Sequence, residues 1–509
     1  MSTRHRILIA VGFALAFIAV YGYQFNNGDQ EEHLPYVYKL LDSSLYPNDY
    51  LIPRQVSTFT VRFFFAHLLA FGGSLIPLDK LVFILHLLSL VVSAYCVSRM
   101  ALKRSIWNVA GWVAPVLLLV WNTWTVGGNH LLDVQLTCSS MAMMMGAIAL
   151  LNFDGDKPVQ ASALAGLAAL FQVLMGLQLF LLFGLTMLWC KRFFGSKKIV
   201  LSGLAFIGCS SAMLGPVLYT QLLTNVPGDN HLYHQVLFIF RNANHYHPLC
   251  FPLNDYLKEF IVLALLIFCF SRQSKEKNRY VPEFLIFVLI GSIVYSFGFF
   301  NDMTSLVKLQ WFKTNAWLVY YAIVPVSVFI SDKLRRNIEV KPVIFGGLSA
   351  AIVVGFLLIT NCAVLPIDKL RSRYKIGNYK KSDLELLHER IDREIPKEAV
   401  ILPMVNDESF LCEAKRSIPV GFKAIIHEKD FMLDWYQRMG ELYQVSIKPG
   451  TCNQEVTARS KILQNRQLAL KYNIDYRIID SDLIDYNPVV YGEEVFRQGQ
   501  FVLTKVPSL

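Results

Sequence analysis

Long apolar runs alternate with short polar clusters over the first two-thirds of the chain. A helix needs roughly 20 apolar residues to cross a bilayer, and backbone groups inside lipid must bond within their own segment. The runs at 7–23, 81–97, 107–124, 134–151, 200–222, 256–270, 284–300, 315–330 and 343–364 therefore read as membrane-spanning helices. The stretch 159–190 is too long for one helix and short for two. It reads as a broken pair meeting near 172–178, the kind of element that lines a cavity. The pattern predicts an α-helical polytopic membrane protein with about 11 transmembrane helices over 1–365.

Charge fixes the expected topology. Four basic clusters flank the runs: Arg99, Lys103 and Arg104; Lys191, Arg192, Lys197 and Lys198; Arg272, Lys275, Lys277 and Arg279; Lys333, Arg335, Arg336 and Lys341. The positive-inside rule places all four in the cytoplasm, so an even number of crossings must separate neighbours. Eleven helices meet that demand with a cytoplasmic N-terminus, a cytoplasmic turn at 154–158 and an extracytoplasmic tail. No small-x-small site follows the first run, which reads as a retained helix rather than a signal peptide. A first outer loop then covers 26–78. Within it, 56–71 is apolar but interrupted by Arg62 and His67, and reads as a helix lying in the interface; a spanning helix is the alternative.

The tail, 366–509, changes character and predicts a small soluble α/β domain. Helices are expected over 382–395, 429–443 and 454–472, with strands at 399–403, 476–479 and a pair within 494–506. Composition agrees with the membrane class: 54% of the 509 residues are hydrophobic and only 17% charged, with a mean hydropathy of +0.40. The net charge of +10 lies mostly beside apolar runs, which argues against nucleic acid as a partner. None of the nine cysteines forms a CxxC or zinc spacing. Cys412 and Cys452 share the tail and read equally well as a disulfide or as two free thiols.

Unusual polar residues gather on the outer side of this topology. The first loop carries Asp29, Glu31, Glu32 and His33, followed by Asp49. The second carries Arg241, His245 and His247; the third carries Lys308 and Lys313; another holds Gly127, Gly128, Asn129, His130 and Asp133. Each taken singly also reads as a solvated loop, a capped turn or a snorkelling lysine. Asp29, close to membrane depth, is costly there and suggests a role. Together they suit transfer from a phosphate-linked donor: a carboxylate accepts a proton, and cations stabilise the departing phosphate. The histidines are compatible with a divalent metal, Mg or Mn, but His-x-His is a weak signal and no metal ligand set is assigned.

Several of these residues form patterns. Gly28-Asp29-Gln30, His33-Leu34-Pro35 and Leu45-Tyr46-Pro47-Asn48-Asp49 follow the first helix, and Arg241 precedes His245-Tyr246-His247-Pro248. The tail holds Glu408-Ser409-Phe410, Arg416-Ser417, Phe422-Lys423 and Asp434-Trp435-Tyr436-Gln437-Arg438. In these features the chain resembles the GT-C superfamily of membrane glycosyltransferases, and within it the bacterial GT-C-like proteins of the domain-of-unknown-function type. The resemblance implies a polyprenyl-phosphate-linked sugar donor and a catalytic acidic residue in the first outer loop. That role carries over to Asp29, with Glu31 or Glu32 as alternates. His33, Asp49, Arg241, His245, His247, Lys308 and Lys313 are expected to bind substrate or phosphate. Gln172-Val173 departs from the His-Pro of that group, and Lys308 or Lys313 stands where it often has Arg.

The expectation is thus an inverting glycosyltransferase acting on a glycan, lipid or protein acceptor at the extracytoplasmic face. A bacterial inner membrane with a periplasmic tail fits; an endoplasmic reticulum location obeys similar rules. The alternative is a non-catalytic transporter, flippase or assembly partner for surface polysaccharide. Such a protein would place ionisable groups within its spans, often on symmetric broken helices.

Overall fold

The computed structural model describes residues 1–122, 124–220, 228–337, 374–375, 379, 381–407, 409–447, 466–483 and 491–506. The chain forms two compact units, each assembled from separated segments. The first comprises Met1–Tyr23, Val82–Pro216 and Asn242–Arg373; the second comprises Gln24–Leu81, Val217–Arg241 and Tyr374–Leu509.

The first unit is helical and apolar. Thr3–Tyr21, Leu78–Arg104, Phe194–Leu218, Val281–Phe300 and Thr304–Arg335 are long and apolar enough to cross a membrane, which makes this an integral membrane protein. Shorter apolar helices occupy Ala110–Val120, Cys138–Asp154, Pro158–Phe171 and Val173–Trp189. The expected eleventh helix, 343–364, lies outside the described residues. Burial separates the roles of these helices. Thr304–Arg335 is 89% buried in its apolar window and forms the centre of the unit, whereas Phe194–Leu218 is only 22% buried. The latter presents Leu201, Leu204 and Ile207 outward, as a lipid-facing helix must.

The stretch 159–190 divides into Pro158–Phe171 and Val173–Trp189, with Gln172 in an extended conformation between them. The Gln172 side chain accepts from Leu174 N–H at 3.2 Å and caps the second helix. A Cβ on Gly176 would meet the backbone of Ala165 and Ala169, so the pair crosses at a distance that requires glycine. Gly176→Ala is expected to cost about 1–3 kcal/mol by forcing the helices apart. Thermal unfolding in detergent checks this; an unchanged midpoint would remove the close crossing as a constraint.

Opposite ends of the same helices gather different chemistry. At one end, buried Arg104 pairs with Asp154 and donates to Tyr321 Oη at 2.7 Å. Arg104 also donates to the carbonyls of Lys277 and Asn278 at 3.0 and 3.3 Å. Arg279 reaches the Asp154 carbonyl and the Asp156 carboxylate, and Lys277 pairs with Asp332. The turn at 154–158 is therefore tied directly to the basic clusters through Asp154 and Asp156. At the other end, Gln178 donates to the carbonyls of Leu309 and Gln310 at 2.7 and 3.0 Å.

The second unit joins short helices to a sheet. The strands Ile401–Leu402, Tyr476–Asp480, Phe501–Lys505 and Glu493–Gln498 lie side by side in that order. The first pair is parallel and the others antiparallel, with a bulge between Glu494 and Phe496. Helix Asp383–Glu394 begins with a capping box of Ser382 and Glu385, and Lys429–Tyr443 buries Trp435, whose indole donates to Gly421 O at 2.9 Å. The helix expected over 454–472 is described only at Arg466–Lys471. Cys412 is a buried free thiol, and Cys452 lies outside the described residues.

The apolar stretch 56–71 forms no single helix. Ile52–Ser57 ends within its first two residues, extended Thr58 intervenes, and Phe63–Gly73 follows with Arg62 at its N-cap. The eleven residues of Phe63–Gly73 rise about 16 Å, roughly half of a bilayer core. Phe71 and Leu75 remain 70% exposed, consistent with contact to an interface. Arg62 is buried, however, and takes no part in a polar face.

Candidate functional site

The second unit brings the loop that follows the first helix together with residues from two distant segments. Gly28–Glu32 forms a short 3₁₀ turn, capped by the Asn27 side chain, which accepts from Gly28 N–H at 2.6 Å. Gly28 has φ +59°, a left-handed conformation that glycine adopts without strain. The turn points its three acids differently. Asp29 has a 63% exposed side chain and lies 3.6 Å from Lys423 Nζ. Glu31 is buried. Glu32 accepts from Arg62 and, at 3.2 Å, from Arg241.

Both arginines have other anchors. Arg62 Nη1 donates to Ile425 O at 2.9 Å, and Arg241 sits 5.0 Å from the Phe422 ring centroid. Arg241 ends the π-helix Gln235–Arg241, a rare geometry often found at functional sites. Burial pushes the Arg241 guanidinium below its ordinary value, the carboxylates of Glu32, Asp29 and Glu31 oppose this, and Arg62 adds to the depression. These five charged groups and Lys423 form the candidate site, an alternation of anions and cations within one unit.

His33 and Asp49 belong to the same unit. His33 packs edge-on against Phe65, with ring centroids 5.5 Å apart. Burial, reinforced by Arg62 and opposed by Asp29, pushes it down to about 3, so it is a neutral imidazole at ordinary pH. Asp49 accepts from the backbone N–H groups of Leu51, Ile52 and Ile418 at 2.8, 2.9 and 2.9 Å. Burial raises it to about 6 against those three bonds. Its task here is to tie the first loop to the tail.

The remaining sequence candidates belong to the first unit. His245 Nδ1 lies 3.1 Å from Gly127 O, which makes that nitrogen the protonated one. His247 Nδ1 accepts from Leu249 N–H at 3.2 Å, and burial lowers its pKa. The His-x-His pair is thus turned toward backbone groups. Lys308 and Lys313 flank Gln310, whose φ is +46°, and both are half-buried. Among the described residues no three His, Cys, Asp or Glu side chains converge as a metal ligand set.

Two features escaped the sequence reading. Arg62 looked like a defect in an apolar run; its signal was a lone charge that such a run could not leave in lipid. His388 gave a weaker signal, as a histidine on the apolar stripe shared with Leu387 and Ile391. It is fully buried, donating to Asp407 Oδ2 through Nε2–H at 2.9 Å and to Glu413 Oε2 through Nδ1–H at 3.0 Å. Burial alone would lower it, but Asp407 and Glu413 together raise it to about 9.

His388 therefore links stability to pH. Its folded pKa of about 9 exceeds the ordinary 6.5, so the stabilisation is complete below 6.5 and is lost as pH rises through 9. At most about 3 kcal/mol is at stake. Denaturant unfolding of the full chain between pH 6 and 10 should show this loss, and His388→Gln should flatten it. An equally steep loss in the variant would assign it elsewhere.

A family model described as "Domain of unknown function (DUF6798)" matches residues 382–442, a segment holding His388, Asp407, Glu413, Phe422 and Lys423. No curated protein matches the chain.

Proposed function

We propose that this protein is a glycosyltransferase of the GT-C type, moving a sugar from a polyprenyl-phosphate donor to a glycan, lipid or protein acceptor. The observation that carries the reading is the cluster of Asp29 with Lys423, Arg62 and Arg241, drawn from three separated stretches of chain. Such a transfer needs one exposed carboxylate and fixed cations close by. Asp29 is the most exposed acid of its turn, whereas Glu31 is buried and Glu32 is held by two guanidinium groups.

In the proposed step, the acceptor hydroxyl gives its proton to Asp29. Its oxygen forms the new bond to the anomeric carbon. The bond from that carbon to the phosphate oxygen breaks, and the electron pair leaves with the lipid phosphate. Lys423 and Arg241 stabilise the charge that develops there. Attack opposite the leaving group inverts the anomeric centre. An extracytoplasmic site in a bacterial inner membrane fits the basic-cluster topology. Transfer from radiolabelled polyprenyl-phosphate sugars, compared between wild type and Asp29→Asn, tests the reading.

A transport or flippase reading draws on one observation. His86, within Leu78–Arg104, is buried with neither ring nitrogen hydrogen-bonded among the described residues. Ionisable groups inside spans often mark a translocation path. Loss of lipid-linked sugar translocation in His86→Phe, with transfer absent in wild type, would favour it.

A further inference from the structure

We infer that Arg62 and Arg241 form a clamp for a phosphoryl group, and that Glu32 occupies this clamp as an internal stand-in which the ligand displaces. The inference rests on the reading above for the identity of that ligand. Its geometric basis lies in how the two guanidinium groups meet one carboxylate. Arg62 donates to Oε2 of Glu32, and Arg241 donates to Oε1. Two oxygens on one centre, each facing its own guanidinium, is an arrangement that a phosphoryl group reproduces.

A purely structural ion pair needs only one arginine. Here two like charges are held together in a buried place around one carboxylate, with the fields of Asp29 and Glu31 also acting on Arg241. Neither cation depends on Glu32 for its position. Arg62 is anchored by the Ile425 carbonyl, and Arg241 by the face of Phe422. The clamp is thus built before its occupant arrives. Glu32 is also the member best placed to leave. Its side chain is 17% exposed against 7% for Arg62 and 11% for Arg241, and it sits on a one-turn 3₁₀ segment that opens at a left-handed glycine.

The same chemistry is offered by a lipid headgroup and by a free anion, so the test uses both. Full-length protein in nanodiscs is titrated with inorganic phosphate, and separately with polyprenyl phosphate incorporated in the bilayer. Glu32→Gln keeps the side-chain shape and removes the competing charge. It should bind one or both probes roughly ten-fold tighter than wild type. Adding Arg62→Gln should remove that gain. Tightening with polyprenyl phosphate alone assigns the clamp to a lipid headgroup; tightening with inorganic phosphate alone assigns it to a soluble anion.

Unchanged or weaker binding of both probes by folded Glu32→Gln overturns the inference. Should that variant unfold in detergent, inorganic phosphate or polyprenyl phosphate must restore its thermal midpoint; failure to do so also overturns it. Glu32→Asp, which withdraws the carboxylate by one methylene, provides a second variant expected to bind more tightly than wild type. Sugar transfer is read separately. Tighter binding without transfer from any donor would leave the clamp standing and remove the glycosyltransferase reading, and the converse result would do the opposite.

Discussion

Asp29→Asn is expected to lower kcat for sugar transfer by roughly 10²–10⁴-fold, with little change in KM. Asparagine keeps the size and hydrogen-bonding outline of the side chain but cannot accept the acceptor's proton. The side chain of Asp29 is 63% exposed, whereas that of Glu32 is 17% exposed and pairs with Arg62 and Arg241. Steady-state kinetics and a thermal midpoint measured on the same preparation separate a chemical loss from a folding defect. Glu31→Gln gives the comparison. Glu31 is buried, so its substitution should move stability before it moves the chemical step. Full transfer by folded Asp29→Asn would reject Asp29 as the base and turn attention to Glu31 and Glu32.

Arg104→Met should destabilise the membrane unit by about 3–5 kcal/mol. Arg104 and Asp154 have side chains only 3% and 1% exposed, and the guanidinium also bonds Tyr321 and two loop carbonyls. Removing the cation leaves a carboxylate without its partner in a low-dielectric setting, and that uncompensated charge accounts for most of the cost. The double variant Arg104→Met/Asp154→Leu should recover much of the loss, because an apolar pair carries no desolvation penalty. Thermal unfolding of the three proteins in one detergent measures both steps. A double variant as unstable as the single one would show that the carbonyl and tyrosine bonds, rather than the ion pair, hold these helices. The result bears on topology as well, since the same contacts tie the 154–158 turn to the basic clusters.

The two arginines illustrate how far sequence reasoning reaches. Arg104 was legible as one cation of a basic cluster beside an apolar run. Its partner was not legible, because Asp154 lies fifty residues away in the chain and comes within reach only when the helices pack. Arg62 was visible as an interruption of the 56–71 stretch and was read as the polar edge of an interfacial helix. In the folded chain it sits at a helix N-cap and turns inward to Glu32. The interruption was a correct signal of something costly; its resolution needed a carboxylate thirty residues earlier to be in reach.

Asp29, Glu31 and Glu32 show the same limit within one turn. As three acids in four positions they were interchangeable candidates for a base. A 3₁₀ turn gives each a different direction, and direction alone makes one exposed, one buried and one paired. Asp49 appeared in a pattern with tyrosine and proline and was expected at a ligand. Its three backbone bonds, one of them to Ile418, explain its presence through the loop's attachment to the tail.

Hydrophobic period, run length and the placement of lysine and arginine by themselves determined that this is a helical membrane protein with a mixed α/β tail, and where its paired short helices break. Those properties depend on local free energies: backbone groups must be satisfied in lipid, and cations stay near one surface. The tertiary structure alone decided that Arg241 and Lys423 join the first loop, that His388 is held between two carboxylates, and that Glu32 closes a two-arginine clamp. Each of these contacts joins residues far apart in the chain, and a charged side chain finds its partner only when packing removes water and brings a second charge within a few ångströms.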